Sequence, residues 1–450
     1  VQSGASVLAL QGIIVIDVDP AVTDPDPGFG GTVVVDGALS SSAGAFLSGG
    51  LDADQFSVAT QSGTSLSITG NDPMTTPGDS LSLDAAGGPV AIDAETGGLS
   101  VGGAPPILTS GLEDIVLSNV GTLTIDGSLT ADNVVIAGDP NVTGGELVTV
   151  NGRTPIAFNS ISAIVFSGGL GDDRLTFDVT AGTSVTPITF MGQGQDGALG
   201  GDRLTILGNF STQTFNYDSP GPDGNRGSVQ LDGSVITYTG LEPIDAGDSD
   251  DTILNLTTGQ SNDATLRGGS NADTIELIDN GGTFEDTVIP NPVNTLTVNL
   301  GDQGDVLKLN TLSANFAASV ILQGGTGIDD VLVDGVTLDS TAGRALDVAA
   351  VEQLVIVDST FSNNTADVGA GLRVVGGRTR INNSTFQFNS AAGDASQGGG
   401  AIFTDSDTTI ENNTLIDGNF ASGSLGYGGG ILVGPSGSLT ISDSTISNNE

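Results

Sequence analysis

The chain has 450 residues, 69 of them glycine, and carries 54 acidic against 10 basic side chains for a formal charge of −44. Histidine, cysteine and tryptophan are absent and 4% of residues are aromatic, which excludes disulfide staples, imidazole acid–base chemistry, Ser-His-Asp triads, thiolate nucleophiles and His- or Cys-ligated metals. So acidic a surface repels nucleic acid and anionic membranes, and no apolar run reaches the roughly 20 residues of a membrane span.

Residues 1–48 hold two strand candidates, Val7 to Val18 and Thr32 to Val35, separated by the stiff turn Asp24-Pro25-Asp26-Pro27-Gly28. This stretch reads as a β-rich cap or assembly segment. Residues 49–340 follow with long internal duplications: Gly49 to Val58 matches Gly168 to Phe177, and Gly97 to Ile115 matches Gly227 to Ile244. A third, more divergent copy begins at Gly268. Short strands separated by Gly-Asp turns predict a solenoid here, in which each coil buries its apolar side against its neighbours. One solenoid running into the last hundred residues, or two β-domains joined near residue 340, both fit.

Within this region the motif G-G-x-G-x-D-x-apolar is complete at Gly168, Gly169, Gly171, Asp173, Leu175 and again at Gly324, Gly325, Gly327, Asp329, Val331. Degenerate forms carry Asp54, Asp202, Asp251, Asp273 and Asp305. Each match resembles the calcium-binding nonapeptide of RTX proteins, and the resemblance implies that Asp172, Asp173, Asp250, Asp251, Asp273, Asp329 and Asp330 supply oxygen ligands to Ca²⁺ along an acidic edge. RTX motifs recur every nine residues, whereas consecutive motif aspartates from 173 to 329 lie 29, 49, 22, 32 and 24 residues apart. That spacing suits one motif per larger coil, with the carboxylates stacked about 4.8 Å apart at one corner. The competing reading is turn chemistry alone, glycine giving the left-handed backbone and aspartate capping its own turn.

Residues 341–450 repeat openly. Leu354 to Asn364, Arg378 to Asn389, Asp407 to Asn419 and Ser438 to Glu450 align on Thr360, Thr385, Thr414 and Thr445, a period of 25, 29 and 31 residues. A second phrase aligns Gly371, Gly400 and Gly430. Alternating apolar and polar residues bounded by Gly, Asn and Asp read as short half-buried strands, and no window carries a helical stripe. Val355, Val357, Phe361, Ile381, Phe386, Phe388, Ile410, Leu415, Ile416, Leu439, Ile441 and Ile446 are expected as interior columns, with Asn364, Asn389, Asn419 and Asn449 stacked as an amide ladder. The F-x-x-N phrase, alternating with Gly399-Gly400-Ala401-Ile402, resembles the repeat of polymorphic outer-membrane proteins and of autotransporter-like β-helical passengers of bacterial surfaces. The fold implied is all-β, a right-handed parallel β-helix continuing beyond residue 450.

The functional expectation is a secreted structural component of a bacterial cell surface: fibre, sheath, surface layer or adhesin. It would self-associate through coil ends or flat faces and contact surfaces or polysaccharide. The alternative is a β-helical polysaccharide lyase or glycoside hydrolase acting through carboxylates. Arg373, Arg378 and Arg380, the basic cluster, would then be the place for an anionic sugar.

Overall fold

In the computed structural model the described residues are 6–9, 13–17, 30–35, 38–41, 43–50, 52–59, 64–71, 78–194, 201–341, 343–392, 398–422 and 427–450. Every regular element among them is a strand. The Pro-rich turn expected at Asp24 to Gly28 lies outside the described residues, and the long first strand candidate is represented by two short strands, Ser6–Ala9 and Ile14–Asp17. The chain divides into two units, residues 1–207 with 233–241, and residues 208–232 with 242–450.

In the first unit successive strands alternate between two parallel sheets. One sheet begins Ile14–Asp17, Ala45–Ser48, Leu66–Thr69, Ile107–Ser110. The other begins Thr32–Val35, Gln55–Ala59, Ser80–Asp84, Asp114–Ser118, Ile156–Asn159. Each sheet is interrupted once by an antiparallel strand, Leu99–Val101 in the first and Gly145–Val150 in the second. The parallel order then resumes through Leu123–Asp126, Ile164–Leu170, Ile188–Gly194 and Ser234–Thr239, and through Asn133–Gly138, Arg174–Asp178 and Arg203–Leu207. The second interruption has a local cause. Asn151 and Gly152 stand at φ 52° and 68°, the left-handed pair at the centre of a tight turn that the Arg153 N–H closes on Val150 O at 3.1 Å.

The second unit opens with the antiparallel hairpin Asn209–Gly221 and Gly224–Leu231. Its first sheet then stacks Asp248–Asn255, Thr295–Asn299, Ser319–Gln323 and Leu346–Ala349 in parallel. The second stacks Asp263–Gly268, Val306–Asn310, Asp330–Asp334 and Gln353–Val357. The long strands Leu372–Asn382 and Ile402–Glu411 each serve both sheets, because the corner between them has shrunk to a bulge at Gly376 and Gly377. A third sheet, Thr337–Asp339, Thr360–Ser362, Thr385–Gln387, Leu415–Asp417 and Thr445–Ser447, closes these coils.

Like residues meet like across the coils. Phe166 stacks on Phe190 at 4.8 Å, and Phe361 on Phe386 at 4.6 Å, with the rings nearly parallel. Full burial of such side chains contributes about 1.5–3 kcal/mol each. The amide ladder forms as expected: the side-chain amides of Asn364, Asn389 and Asn419 donate to the Oδ1 of Asn389, Asn419 and Asn449 at 2.9, 3.0 and 2.9 Å.

Some details of register differ from expectation. Leu415, not Thr414, pairs with Thr385 and Thr445, and Ile416 takes the place of Phe386. The preceding turn holds one more left-handed residue, Asn412 and Asn413 against Asn383 alone. Ala401, not Gly400, falls between Gly371 and Gly430 in the main-chain ladder. Inward positions are Leu354 and Ile356, so Val355 and Val357 face outward and are only half-buried. Phe388, expected inside, is 58% exposed, because its backbone stands at φ 54° in the turn before Asn389. Leu415 is half-buried beside the outward Thr385, whereas Leu439, Ile441 and Ile446 keep the expected register, pairing with the buried Thr408, Ile410 and Ile416.

Candidate functional site: a column of inward aspartates

The Gly-Asp turns make the corner at which each coil passes from its first sheet to its second. In the first unit Asp54, Asp79, Asp132, Asp173 and Asp202 each stand directly before a second-sheet strand, none more than 2% exposed. Asp305 and Asp329 hold the same place in the second unit, at 0% and 1%. A corner N–H points along the stacking axis and needs an acceptor that the strand ladder does not supply. The carboxylate one rung on supplies it. Asp54 N–H donates to Asp79 Oδ1 at 2.7 Å, Asp79 N–H to Glu113 Oε2 at 2.8 Å, Asp132 N–H to Asp173 Oδ1 at 2.7 Å and Asp173 N–H to Asp202 Oδ1 at 2.7 Å. In the second unit Asn262 N–H donates to Asp305 Oδ1 at 2.6 Å and Asp305 N–H to Asp329 Oδ1 at 3.0 Å.

Glycine is required beside these carboxylates. A Cβ on Gly168 would collide with Asp173 Oδ2 and sit 2.8 Å from Gly192 O, and one on Gly324 would meet both Asp329 Oδ2 at 2.9 Å and Ala350 O. Each side chain is thus folded back under its own turn, pointing into the stack.

The second carboxylate oxygens are treated unequally. Asp54 Oδ2 accepts the Gly50 N–H at 2.6 Å, and Asp132 Oδ2 the Ser128 N–H at 2.6 Å. The Oδ2 atoms of Asp173, Asp305 and Asp329 are buried without a hydrogen-bond donor. Loss of water, above all, pushes the Asp173 carboxyl up to about 7 and that of Asp305 up to about 6, with Asp329 also raised. Neighbouring carboxylates add to the effect, whereas the main-chain N–H groups of Asp132, Asn262 and Asp305 oppose it. These are directions expected of an acid moved out of water beside like charges.

The residues expected to bind calcium are distributed as follows. Asp173 and Asp329 belong to the inward columns of their own units, and Asp172 is buried next to Asp173. Asp250 is exposed and Asp251 accepts the Thr295 hydroxyl at 2.6 Å, both on a first-sheet strand away from the corner. Asp273 is exposed and accepts the Asn315 amide at 2.6 Å, and Asp330 is exposed at the start of its strand. Among the described residues no three His, Cys, Asp or Glu side chains converge where a cation could be held. Asp79, Asp132 and Glu113 were not expected as column members. Their signal is position, an acid directly before an x-apolar-x-apolar strand.

The basic cluster is paired throughout. Arg373 meets Asp347 at 3.0 Å and lies 6.0 Å over the Phe403 ring, while Arg344 holds the other oxygen of Asp347 at 2.6 Å. Arg378 pairs with Glu352 at 2.9 Å and Arg380 with Glu411. Arg378 and Arg380 line a shallow cleft of about 400 Å³ with Gln353, Asp407, Thr409 and Glu411.

Residues 296–450 match a family model described as the right handed beta helix region. No curated protein and no solved structure matches the chain. With the parallel strand order of the coils, that match identifies the fold as a right-handed parallel β-helix. Among the described residues no helix is long and apolar enough to cross a membrane.

Proposed function

We propose that this protein is a structural component of a bacterial cell exterior, a stiff acidic β-solenoid segment of a fibre, sheath, surface layer or adhesin. The observation that carries this reading is the Asn364–Asn389–Asn419–Asn449 ladder. At each step a main-chain N–H and a side-chain amide of one rung both bond the Oδ1 of the next, as in Asn364 N to Asn389 Oδ1 at 3.2 Å. Such doubled bonds, repeated in a buried column, lock register and resist local opening. A single lysine and nine arginines leave few sites for trypsin-like proteases, which suits an exposed scaffold. Self-association would use coil ends, where strand edges offer unpaired main-chain groups.

A polysaccharide-directed role is the second reading, favoured by the cleft where Arg378 and Arg380 lie among Asp407 and Glu411. Electron microscopy of concentrated native protein separates the two. Filaments or sheets support the scaffold. Particles that stay single while the protein depolymerises an acidic polysaccharide overturn it.

A further inference from the structure

The corner column of the second unit contains a natural amide, and it shows what the aspartates lack. By strand register, Asp263 with Val306 and Val306 with Asp330, Asn262 occupies the place of Asp305 and Asp329. Its Nδ2 donates to Leu300 O at 2.9 Å, on the next coil. The register Asn299 with Gln323 and Gln323 with Ala349 carries Leu300 onto Gly324 and Ala350. Asp305 and Asp329 therefore set an Oδ2, with no hydrogen to give, where Asn262 sets an N–H. In the first unit Asp173 Oδ2 and Gly192 O likewise crowd the same side of Gly168. Two oxygen lone pairs facing each other away from water are repulsive, and a buried acceptor with no donor costs its full desolvation.

We propose that Asp173, Asp305 and Asp329 are held in the folded protein as neutral carboxylic acids, each Oδ2–H directed at the carbonyl of the following coil, so that the stack takes up protons and tightens in mildly acidic surroundings. The proton comes from solvent on folding and returns on unfolding, and no other bond changes. The charged groups that bear on Asp173 are all carboxylates, Asp132 and Asp202 on the flanking turns and Asp172 beside it. For Asp305 they are Asp302 and Asp329, and for Asp329 it is Asp330. The raised affinity for protons noted above agrees with this arrangement.

The test uses the whole chain carrying Asp173→Asn, Asp305→Asn or Asp329→Asn, with Asp223→Asn as a charge-matched control at an exposed hairpin tip. Melting is followed from pH 8 to pH 5, in chelator and in millimolar calcium. The expected result is a wild-type melting temperature that rises toward pH 5, and column variants that melt about 2–4 °C higher at pH 8 with a flatter pH dependence. Asp223→Asn should change the slope little. Infrared difference spectra of carboxyl-labelled protein should show a protonated C=O stretch at pH 5 that each column variant diminishes. Column variants with the slope of the control, or lower stability at pH 8, overturn the proposal. So does a calcium-induced rise at pH 8 that Asp305→Asn abolishes, which would make the column a cation site.

Discussion

Asn389 is the residue whose removal should be felt most. It is fully buried, accepts the Asn364 main-chain and side-chain N–H groups, and donates to Phe361 O at 2.9 Å and Asn419 Oδ1 at 3.0 Å. Asn389→Ala strands at least two of these partners, and with about 1–3 kcal/mol for each unsatisfied group the expected loss is roughly 3 kcal/mol, read by denaturant unfolding. Phe388 offers the opposite case. Register places it with Asn363, Gly418 and Asn448, all left-handed at φ 56°, 66° and 51°. A phenylalanine resists that backbone and an asparagine does not. Phe388→Asn is expected to raise stability by about 1 kcal/mol, measured the same way, offset in part by uncovering Gly418, over which the ring lies. At the Gly-Asp corner, Gly168→Ala should destabilise by about 1–3 kcal/mol through overpacking against the Asp173 carboxyl.

Elements were legible in the sequence to differing degrees, and the reasons are physical. Strands and amide ladder could be read from the last hundred residues because a coil that stacks on itself must repeat its turn residues. Phase was less legible. In Leu354-Val355-Ile356-Val357 every residue is apolar, so alternation cannot tell the inner face from the outer, and only the neighbours above and below decide. Interior hydroxyls were equally silent: Thr404 and Thr408 bond each other at 2.6 Å inside the coil, and Thr379 meets Ser406 at 3.0 Å. The antiparallel interruptions had a visible sign in Asn151-Gly152, but the solenoid period masked it. The glycine-aspartate motif was readable as a turn, whereas the inward direction of its carboxylate was not, since the same spacing serves a side chain turned to an ion or to the backbone of the next coil.

For the molecule as a whole, two sets of carboxyl groups set its pH response in opposite senses. Asp173 and Asp305 have folded values raised above the unfolded one to about 7 and about 6. Their contribution is therefore complete below about pH 4 and is lost as pH climbs toward 7. Asp84 and Asp339, exposed, and Asp417, half-buried, are lowered by hydrogen bonds from neighbours such as the Ala86 N–H, the Ser362 hydroxyl and the Ser447 hydroxyl. Their contribution is present above that same unfolded value and disappears in stronger acid. Melting temperature against pH should therefore peak at about pH 4–5, with decline on both sides. Because the net charge is −44, added salt should raise the melting temperature on the alkaline side by screening self-repulsion.

The matched rungs have a corollary for how such a chain can change length. Ser359 and Ser384 occupy one station of the spiral, each receiving a main-chain N–H on its hydroxyl, from Val336 and Ser359 respectively. Excising residues 360–384 would splice Ser359 to Thr385, set Phe386 over Leu338 and hand Asn389 the partner that Asn364 now serves, Thr341. Leu346 would meet Ile402 and Ile356 would meet Ile410, while the buried Ser406 hydroxyl would exchange Thr379 and the Gly377 carbonyl for new neighbours. The shortened protein should fold with its circular-dichroism signature intact and its second unit about 4.8 Å shorter by small-angle scattering, so that genes of this kind can grow or lose whole turns as a ladder gains or loses a step.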